Sequence, residues 1–250
     1  ISLSIISIFL LFPDEIVDYS KNVNSVLFFY ANHWFVNKVS YFDINQENLL
    51  THLWSLSVEE QFYILFPILL IFIYKLKNNY FLLIIFFIFI LSVILTQFGG
   101  NLKFHKPFLE NELKFFAIPG FGFYILPTRI WELLAGSITA YLMMNKSIKY
   151  QNFSLLSYLG ILLIFISIIL FDAQSQHPSI LTLVPILGVC LVIMFISKKT
   201  ILYKILSNKI FTTVGLISYS LYLWHYPIFK IIEKIFIIDI SFYYYFFGII

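Results

Sequence analysis

The 250-residue sequence is poor in charge. Lys and Arg number 16 and Asp and Glu 13, so charged residues are 12% of the chain, about half the share of an ordinary soluble protein. With 60% apolar residues, a globule of this size has too little polar surface to cover itself. A soluble enzyme, a disordered tail and a nucleic-acid binder are thereby excluded. Cysteine is almost absent. Cys190 is the one thiol, which excludes a disulfide framework and a Cys-based zinc site and leaves it as a small apolar filler. No two histidines stand at metal-ligand spacing, and no glycine-rich phosphate loop or Gly-x-Ser-x-Gly elbow occurs. Any chemistry here is acid–base work without a metal.

What is abundant is aromatic and aliphatic: 30 Phe, 17 Tyr and 4 Trp, with a mean hydropathy of +0.90. The expectation is an all-α, polytopic transmembrane helix bundle. A helix crosses the hydrocarbon core with about 20 apolar residues. Tyr80–Leu102, Tyr150–Phe171 and Pro178–Ser197 read as spans without a charged residue. Trp54–Tyr74, Pro127–Asn145 and Ile210–Phe229 read as spans that take a few ionisable groups with them. Ile1–Phe12 and Ile235–Ile250 look like parts of two more, giving eight visible segments. Both ends fall inside apolar runs, with no Met and no basic leader, so residues 1–250 read as a piece of a longer membrane domain. Pro67 and Pro185 are expected to kink their spans.

Charge sets a direction. The loops carrying Lys75 and Lys77, Lys146 and Lys149, and Lys198, Lys199, Lys204 and Lys209 hold eight of the sixteen basic residues and no acid. They follow alternate spans, and the positive-inside rule makes them cytoplasmic. The intervening segments 13–53, 103–126 and 172–177 then face outward, with Asp14, Glu15, Asp18, Asp43, Glu47, Glu110, Glu112 and Asp172.

Ionisable groups within spans are costly in lipid and normally face a bundle interior. The first such place is the run His52-Leu-Trp-Ser-Leu-Ser-Val-Glu-Glu-Gln-Phe-Tyr63. Glu59 lies about 8 Å below Trp54 along a helix, and adjacent residues differ by about 100°, so Glu59 and Glu60 cannot share a face. One is expected to point inward and the other to snorkel; as an alternative, both are N-terminal helix acids opposite the dipole. The second is Arg129-Ile-Trp-Glu132, whose i, i+3 spacing lets Arg129 and Glu132 pair. It reads as an anion-binding Arg oriented by its neighbour, or as an ion pair with Trp131 as an interfacial anchor. The third is a stripe of Ser218, Tyr222 and His225 at i, i+4 and i+7. His225 there suits a headgroup contact or an active-site base. His52 stands at the edge of its span, and His33 further out reads as a surface residue.

Three of these blocks resemble the acyltransferase-3 family of membrane acyltransferases. His52-Leu-Trp-Ser-Leu-Ser-Val-Glu-Glu-Gln-Phe-Tyr63 followed by Pro67 is similar to the family's HxWSLSVEEQFY block. Leu126-Pro-Thr-Arg-Ile-Trp-Glu-Leu-Leu-Ala-Gly136 resembles LPxRxWELxxG, and Gly215-Leu-Ile-Ser-Tyr-Ser-Leu-Tyr-Leu-Trp-His-Tyr-Pro227 resembles GxxSYSLYLWHxP. Asn32 and Tyr41-Phe42 sit where the family often has an Asn and a YF pair. The resemblance covers nearly the whole chain. It implies about ten helices, of which these would be the third to tenth, in the cell inner membrane.

The resemblance also implies transfer of an acyl group, acetyl in the first place, from acyl-CoA (acetyl-CoA) as co-substrate to a hydroxyl of an extracytoplasmic carbohydrate, with no bound cofactor. Its first helix bears a histidine held to be the base, followed by an Arg-rich segment thought to meet acyl-CoA. Neither precedes Ile1, so residues 1–250 are expected to be inactive alone. Glu59, Arg129, Glu132 and His225 are then the candidate catalytic residues: Glu59 tunes a proton carrier, Arg129 meets negative charge or donor phosphate with Glu132 orienting it, and His225 lines the acceptor side. His52, Trp54, Ser55, Gln61, Tyr63, Trp131 and Tyr222 are candidate substrate contacts. The expected partners are acyl-CoA, the carbohydrate and the bilayer, with no nucleic acid. A sugar transporter or flippase would use the same buried groups but predicts inverted repeats, and none is visible. A glycosyltransferase using Asp14-Glu15 as an acid pair lacks supporting context.

Overall fold

The computed structural model describes residues 2–36, 48–76, 80–99, 121–144, 153–172 and 177–236, and every regular element among them is helical. Lys77, Lys146 and Lys149, the acids Asp43, Glu47, Glu110 and Glu112, the Tyr41-Phe42 pair and nearly all of the last apolar segment lie outside the described residues. The helices are α1 (Ser2–Leu10), α2 (Pro13–Leu27), α3 (Ala31–Val36), α4 (Trp54–Leu76), α5 (Phe81–Gly99), α6 (Phe121–Tyr124), α7 (Leu126–Met144), α8 (Leu155–Leu170), α9 (Leu183–Phe195), α10 (Ile201–Leu206) and α11 (Lys209–Phe236). They form two compact units, residues 1–61 with 215–250, and residues 62–214.

Two helices among the described residues are long and apolar enough to cross a membrane: Thr51–Lys75, which includes a 3₁₀ turn at Thr51–Leu53, and Phe81–Phe98. Other segments expected to span fall short of that test for local reasons. Helix α8 has 16 residues and α9 has 13, preceded by a 3₁₀ turn at Ile180–Thr182. At 1.5 Å per residue, 16 residues cover only about 24 Å of a core about 30 Å thick. The Pro185 kink is also corrected. Pro185 falls in the first turn of α9, where its missing N–H is one that no intrahelical carbonyl would have used. Pro67 and Pro227 do lie inside continuous helices.

In the first unit, α2 begins with Pro13 at its first position and Asp14 and Glu15 in its first turn, all favoured at the positive end of a helix. The Glu15 carboxylate accepts from the Phe12 N–H at 2.7 Å. At the other end, Phe29 N–H bonds the Val26 carbonyl and Tyr30 N–H that of Ser25, a Schellman ending with Phe29 at φ 56° where glycine is usual. Tyr19, Leu49, Leu50 and Leu53 form the buried apolar centre, with Tyr222, Leu223 and Ile231 of α11 packed on it.

In the second unit, α5 docks on the start of α7. Ser92 Oγ donates to the Pro127 carbonyl at 2.6 Å, and Thr96 Oγ1, one turn on, donates to the Thr128 carbonyl. Phe81 stacks on Tyr141 with ring centroids 4.5 Å apart, and Phe89 meets Trp131 edge-on. Helices α8 and α9 meet at Gly160 and Gly188. A Cβ at Gly160 would lie 2.5 Å from the Gly188 carbonyl oxygen, and one at Gly188 would lie 2.7 Å from that of Gly160. Small residues of this kind let apolar helices bring their backbones together.

Candidate functional site

The site of the first unit is built from the Thr51–Leu53 turn, the start of α4 and the middle of α11. His52 is 3% exposed, and neither ring nitrogen has a hydrogen-bond partner among the described residues; the Leu223 carbonyl approaches it without hydrogen-bonding geometry. Three rings of α11 enclose it: Tyr222, His225 and Tyr226, with centroids 5.4, 5.3 and 5.1 Å away. A buried imidazole with both nitrogens unmatched is rare.

Tyr222 organises the group. Its hydroxyl donates to the His52 carbonyl at 2.6 Å, and Ser55 Oγ lies 2.6 Å from the same hydroxyl. A phenol has one proton, so Ser55 is the donor to Tyr222. The Tyr222 carbonyl lies 2.6 Å from His225 Nδ1. A carbonyl only accepts, so Nδ1 carries a proton, and in the neutral ring Nε2 keeps the lone pair. The His225 ring is half-buried, and Nε2 meets no partner among the described residues.

Ser218 does not join this group. Its hydroxyl folds back on the Gly215 carbonyl at 2.8 Å in an exposed stretch of α11, so the expected polar stripe ends at Tyr222. Gln61 serves as a brace: its amide donates to the Phe29 carbonyl at 2.7 Å and to Asn32 Oδ1 at 2.8 Å, and Asn32 Nδ2 returns a bond at 3.3 Å. Both Gln61 donors are thereby used, which leaves it no N–H for a substrate. Trp54 is buried. Glu59 and Glu60 are both half-buried, without a hydrogen bond or ion pair among the described residues. The buried face of α4 runs through Trp54, Val58 and Phe62, and at about 100° per residue Glu59 stands about 100° from its middle and Glu60 about 160°, so Glu59 is the nearer to the buried side although neither is fully buried. His33 is exposed.

In the second unit, Arg129 and Glu132 pair as their spacing predicts. Arg129 Nη1 donates to both Glu132 carboxylate oxygens, at 2.9 and 3.1 Å. Arg129 Nε donates to the Phe123 carbonyl at 3.1 Å, and the guanidinium lies 4.9 Å from the Phe123 ring centroid. Trp131 is not an interfacial anchor. It is fully buried and its indole N–H bonds the Thr128 carbonyl at 3.1 Å, so it shapes the unit rather than touching a substrate. Tyr63 is exposed. An apolar cavity of about 360 Å³ lies between α7 and α9, lined by Glu132, Gly136 and Met143 and by Pro185, Cys190 and Ile193. Cys190 thus lines a cavity instead of filling the interior. No cluster of three or more metal-ligating side chains occurs among the described residues.

Sequence reasoning missed Tyr226, although it stands at i+4 from Tyr222 and so continues the same helix face, where its ring meets His52. It also missed Asn22, Asn48 and Trp34. Trp34 Nε1 donates to Asn22 Oδ1 at 2.8 Å, and Asn22 Nδ2 to Asn48 Oδ1 at 3.1 Å. No motif marks residues so far apart.

Among the described residues, then, the regular elements are helical, two helices are long and apolar enough to cross a membrane, and one imidazole and one guanidinium are held in fixed orientation. The chain belongs to the acyltransferase family described as "Acyltransferase domain", whose profile matches residues 1–250. This is a family of enzymes that transfer acyl groups. The chain is 30% identical over 239 residues to a Staphylococcus aureus (strain COL) protein named provisionally as an O-acetyltransferase, covering 91% of this chain and 38% of that one. It is 28% identical over 238 residues to O-acetyltransferase OatA of Staphylococcus aureus (strain NCTC 8325 / PS 47), covering 90% and 37%. The chain therefore spans under two-fifths of the length of these relatives. No solved structure matches it.

Proposed function

We propose that this chain is the membrane-embedded transfer module of an O-acetyltransferase of the cell inner membrane, crossing the bilayer several times. It moves an acetyl group from acetyl-CoA inside to a hydroxyl of a cell-envelope carbohydrate outside. The observation that carries the reading is the His52–Tyr222–His225 group, in which Nε2 of a preset imidazole is left to receive a hydroxyl proton. The hydroxyl oxygen attacks the acyl carbonyl, a C–O bond forms, the C–S bond of the thioester breaks, and the hydroxyl proton ends on the CoA thiolate. The names of the relatives support the acetyl group, and the alternation of lysine-bearing and acidic segments supports the topology.

In this reading His225 holds the acceptor hydroxyl. Arg129, oriented by Glu132 and Phe123 in the second unit, meets negative charge on the donor. Glu59, a carboxylate near the start of α4 with no partner among the described residues, exchanges a proton with the base.

The test uses the full-length protein in membrane vesicles with labelled acetyl-CoA and envelope glycan. Arg129→Ala is expected to lower transfer about a hundredfold or more, as loss of a transition-state charge partner does. Glu59→Gln is expected to lower it at least tenfold, within reach of the usual general acid–base contribution of about 10²–10⁴. Wild-type transfer by either variant would remove that residue from the mechanism. Glycan movement without acetyl labelling would favour a flippase instead.

A further inference from the structure

We propose that a second cavity of the first unit, beside α2, is a subsite for one neutral sugar ring of the acceptor; this rests on the reading of the chain as a carbohydrate acyltransferase. The cavity measures about 170 Å³ and is lined by Leu11, Glu15, Asp18, Tyr19, Asn22, Asn48 and Leu49. Whole ligands usually fill roughly 300–1,000 Å³, so this space takes a single small ring. Glu15, Asp18, Tyr19 and Asn22 stand at i, i+3, i+4 and i+7 on α2, which places them on one helix face.

Hydrogen bonding fixes which atoms the cavity offers. An indole N–H and a backbone N–H only donate. Trp34 Nε1 bonds Asn22 Oδ1, so the Asn22 amide turns its Nδ2 to Asn48 Oδ1. The Leu50 N–H bonds the same Asn48 oxygen at 3.1 Å. Both amides are thereby oriented, and Asn48 Nδ2 is left with two N–H donors and no partner among the described residues. The carboxylates of Asp18 and Glu15 supply acceptors.

Charge narrows the ligand. Glu15 is held by Lys234 Nζ at 2.5 and 2.6 Å, and Asp18 by Lys21 at 3.3 Å. The two acids and two lysines cancel. An anion would meet two carboxylates, and a cation would find both already matched. A hydroxyl both donates and accepts, which suits Asp18 on one wall and Asn48 on the other, while Tyr19, Leu11 and Leu49 offer an apolar floor for a ring's C–H face. Asn48 is four residues from His52, at most about 14 Å of chain. A glycan anchored by one ring therefore presents the hydroxyl of a neighbouring ring to His225.

The experiment uses Asp18→Asn and Asn48→Ala in the full-length protein. Asp18 is exposed, so its variant folds even if loss of the Asn48 bonds disturbs the turn. Each is expected to raise KM for the glycan about fivefold, the effect of one hydrogen bond, with kcat and acceptor-free hydrolysis of acetyl-CoA unchanged. Saturation-transfer NMR with neutral methyl glycosides should show contacts that Asp18→Asn weakens, whether or not the preparation transfers acetyl. Unchanged KM and unchanged glycoside contacts in Asp18→Asn overturn the subsite. Glycoside contacts without any acetyl transfer by the wild type overturn the enzymatic reading and leave the subsite standing.

Discussion

The Tyr222 hydroxyl has one proton and two oxygen neighbours at 2.6 Å, the His52 carbonyl and Ser55 Oγ. Tyr222→Phe keeps the ring beside His52 and keeps the backbone carbonyl that holds His225 Nδ1, while removing these two hydroxyl bonds. A net hydrogen bond contributes about 1 kcal/mol, and two such losses at a positioning residue predict a fall of about tenfold or more in kcat with the glycan KM little changed. Ser55→Ala removes one of the two bonds and should lower kcat about fivefold. Steady-state rates with both substrates varied check this, and Tyr222→Phe at wild-type kcat would show that the hydroxyl plays no part in positioning. The same residues show what a sequence conveys at this scale. Arg129 and Glu132 were legible because they stand three positions apart on one helix. The Ser55–Tyr222 and His52–Tyr222 bonds join positions 167 and 170 apart, and nothing in either segment names its partner.

Helices α8 and α9 depend on what their glycines lack. Ala at Gly160 would place its methyl 2.5 Å from a carbonyl oxygen of Gly188, too close without moving backbone. Overpacking of this kind costs about 1–3 kcal/mol, so Gly160→Ala should lower the melting temperature in detergent by several degrees. Gly136 is the control, since a Cβ there meets nothing within 4 Å and Ala is favoured over Gly in a helix by up to about 1 kcal/mol. Gly136→Ala should melt at or above the wild type, and equal destabilisation by the two variants would overturn the close approach. Helix positions were largely legible, because long apolar runs leave a chain few alternatives to satisfy its backbone. Helix ends were not. Pro185 reads as mid-span by hydropathy, yet the 3₁₀ turn at Ile180–Thr182 moves the helix start to Leu183 and puts that proline where it does no harm. Trp131 reads as an interfacial anchor because of its neighbours in sequence, whereas the docking of α5 on α7 buries it.

For the molecule as a whole, the distribution of lysines makes a claim that can be checked apart from any activity. Lys75 and Lys199 lie in segments expected inside, and Asp14 in one expected outside; all three side chains are exposed. Cys190 is the only cysteine of the chain and lines an apolar cavity, so Cys190→Ser gives a background with little change in volume. On that background, and with any further cysteines of the full-length protein likewise replaced, new thiols are placed singly by Asp14→Cys, Lys75→Cys and Lys199→Cys. A membrane-impermeant maleimide added to intact cells, or to spheroplasts where an outer membrane intervenes, should modify Asp14→Cys alone, and permeabilisation should expose the other two. Asp14 and Lys75 are separated by the membrane-length helix Thr51–Lys75, so opposite labelling of this pair follows if that helix crosses. Lys199 lies beyond the short apolar helices Leu155–Leu170 and Ile180–Phe195, whose described lengths alone do not carry them through a bilayer. Labelling of Lys199→Cys from outside would therefore overturn the alternation downstream of α5 while leaving the first crossing intact. With it would fall the arrangement that sets an internal donor against an external acceptor.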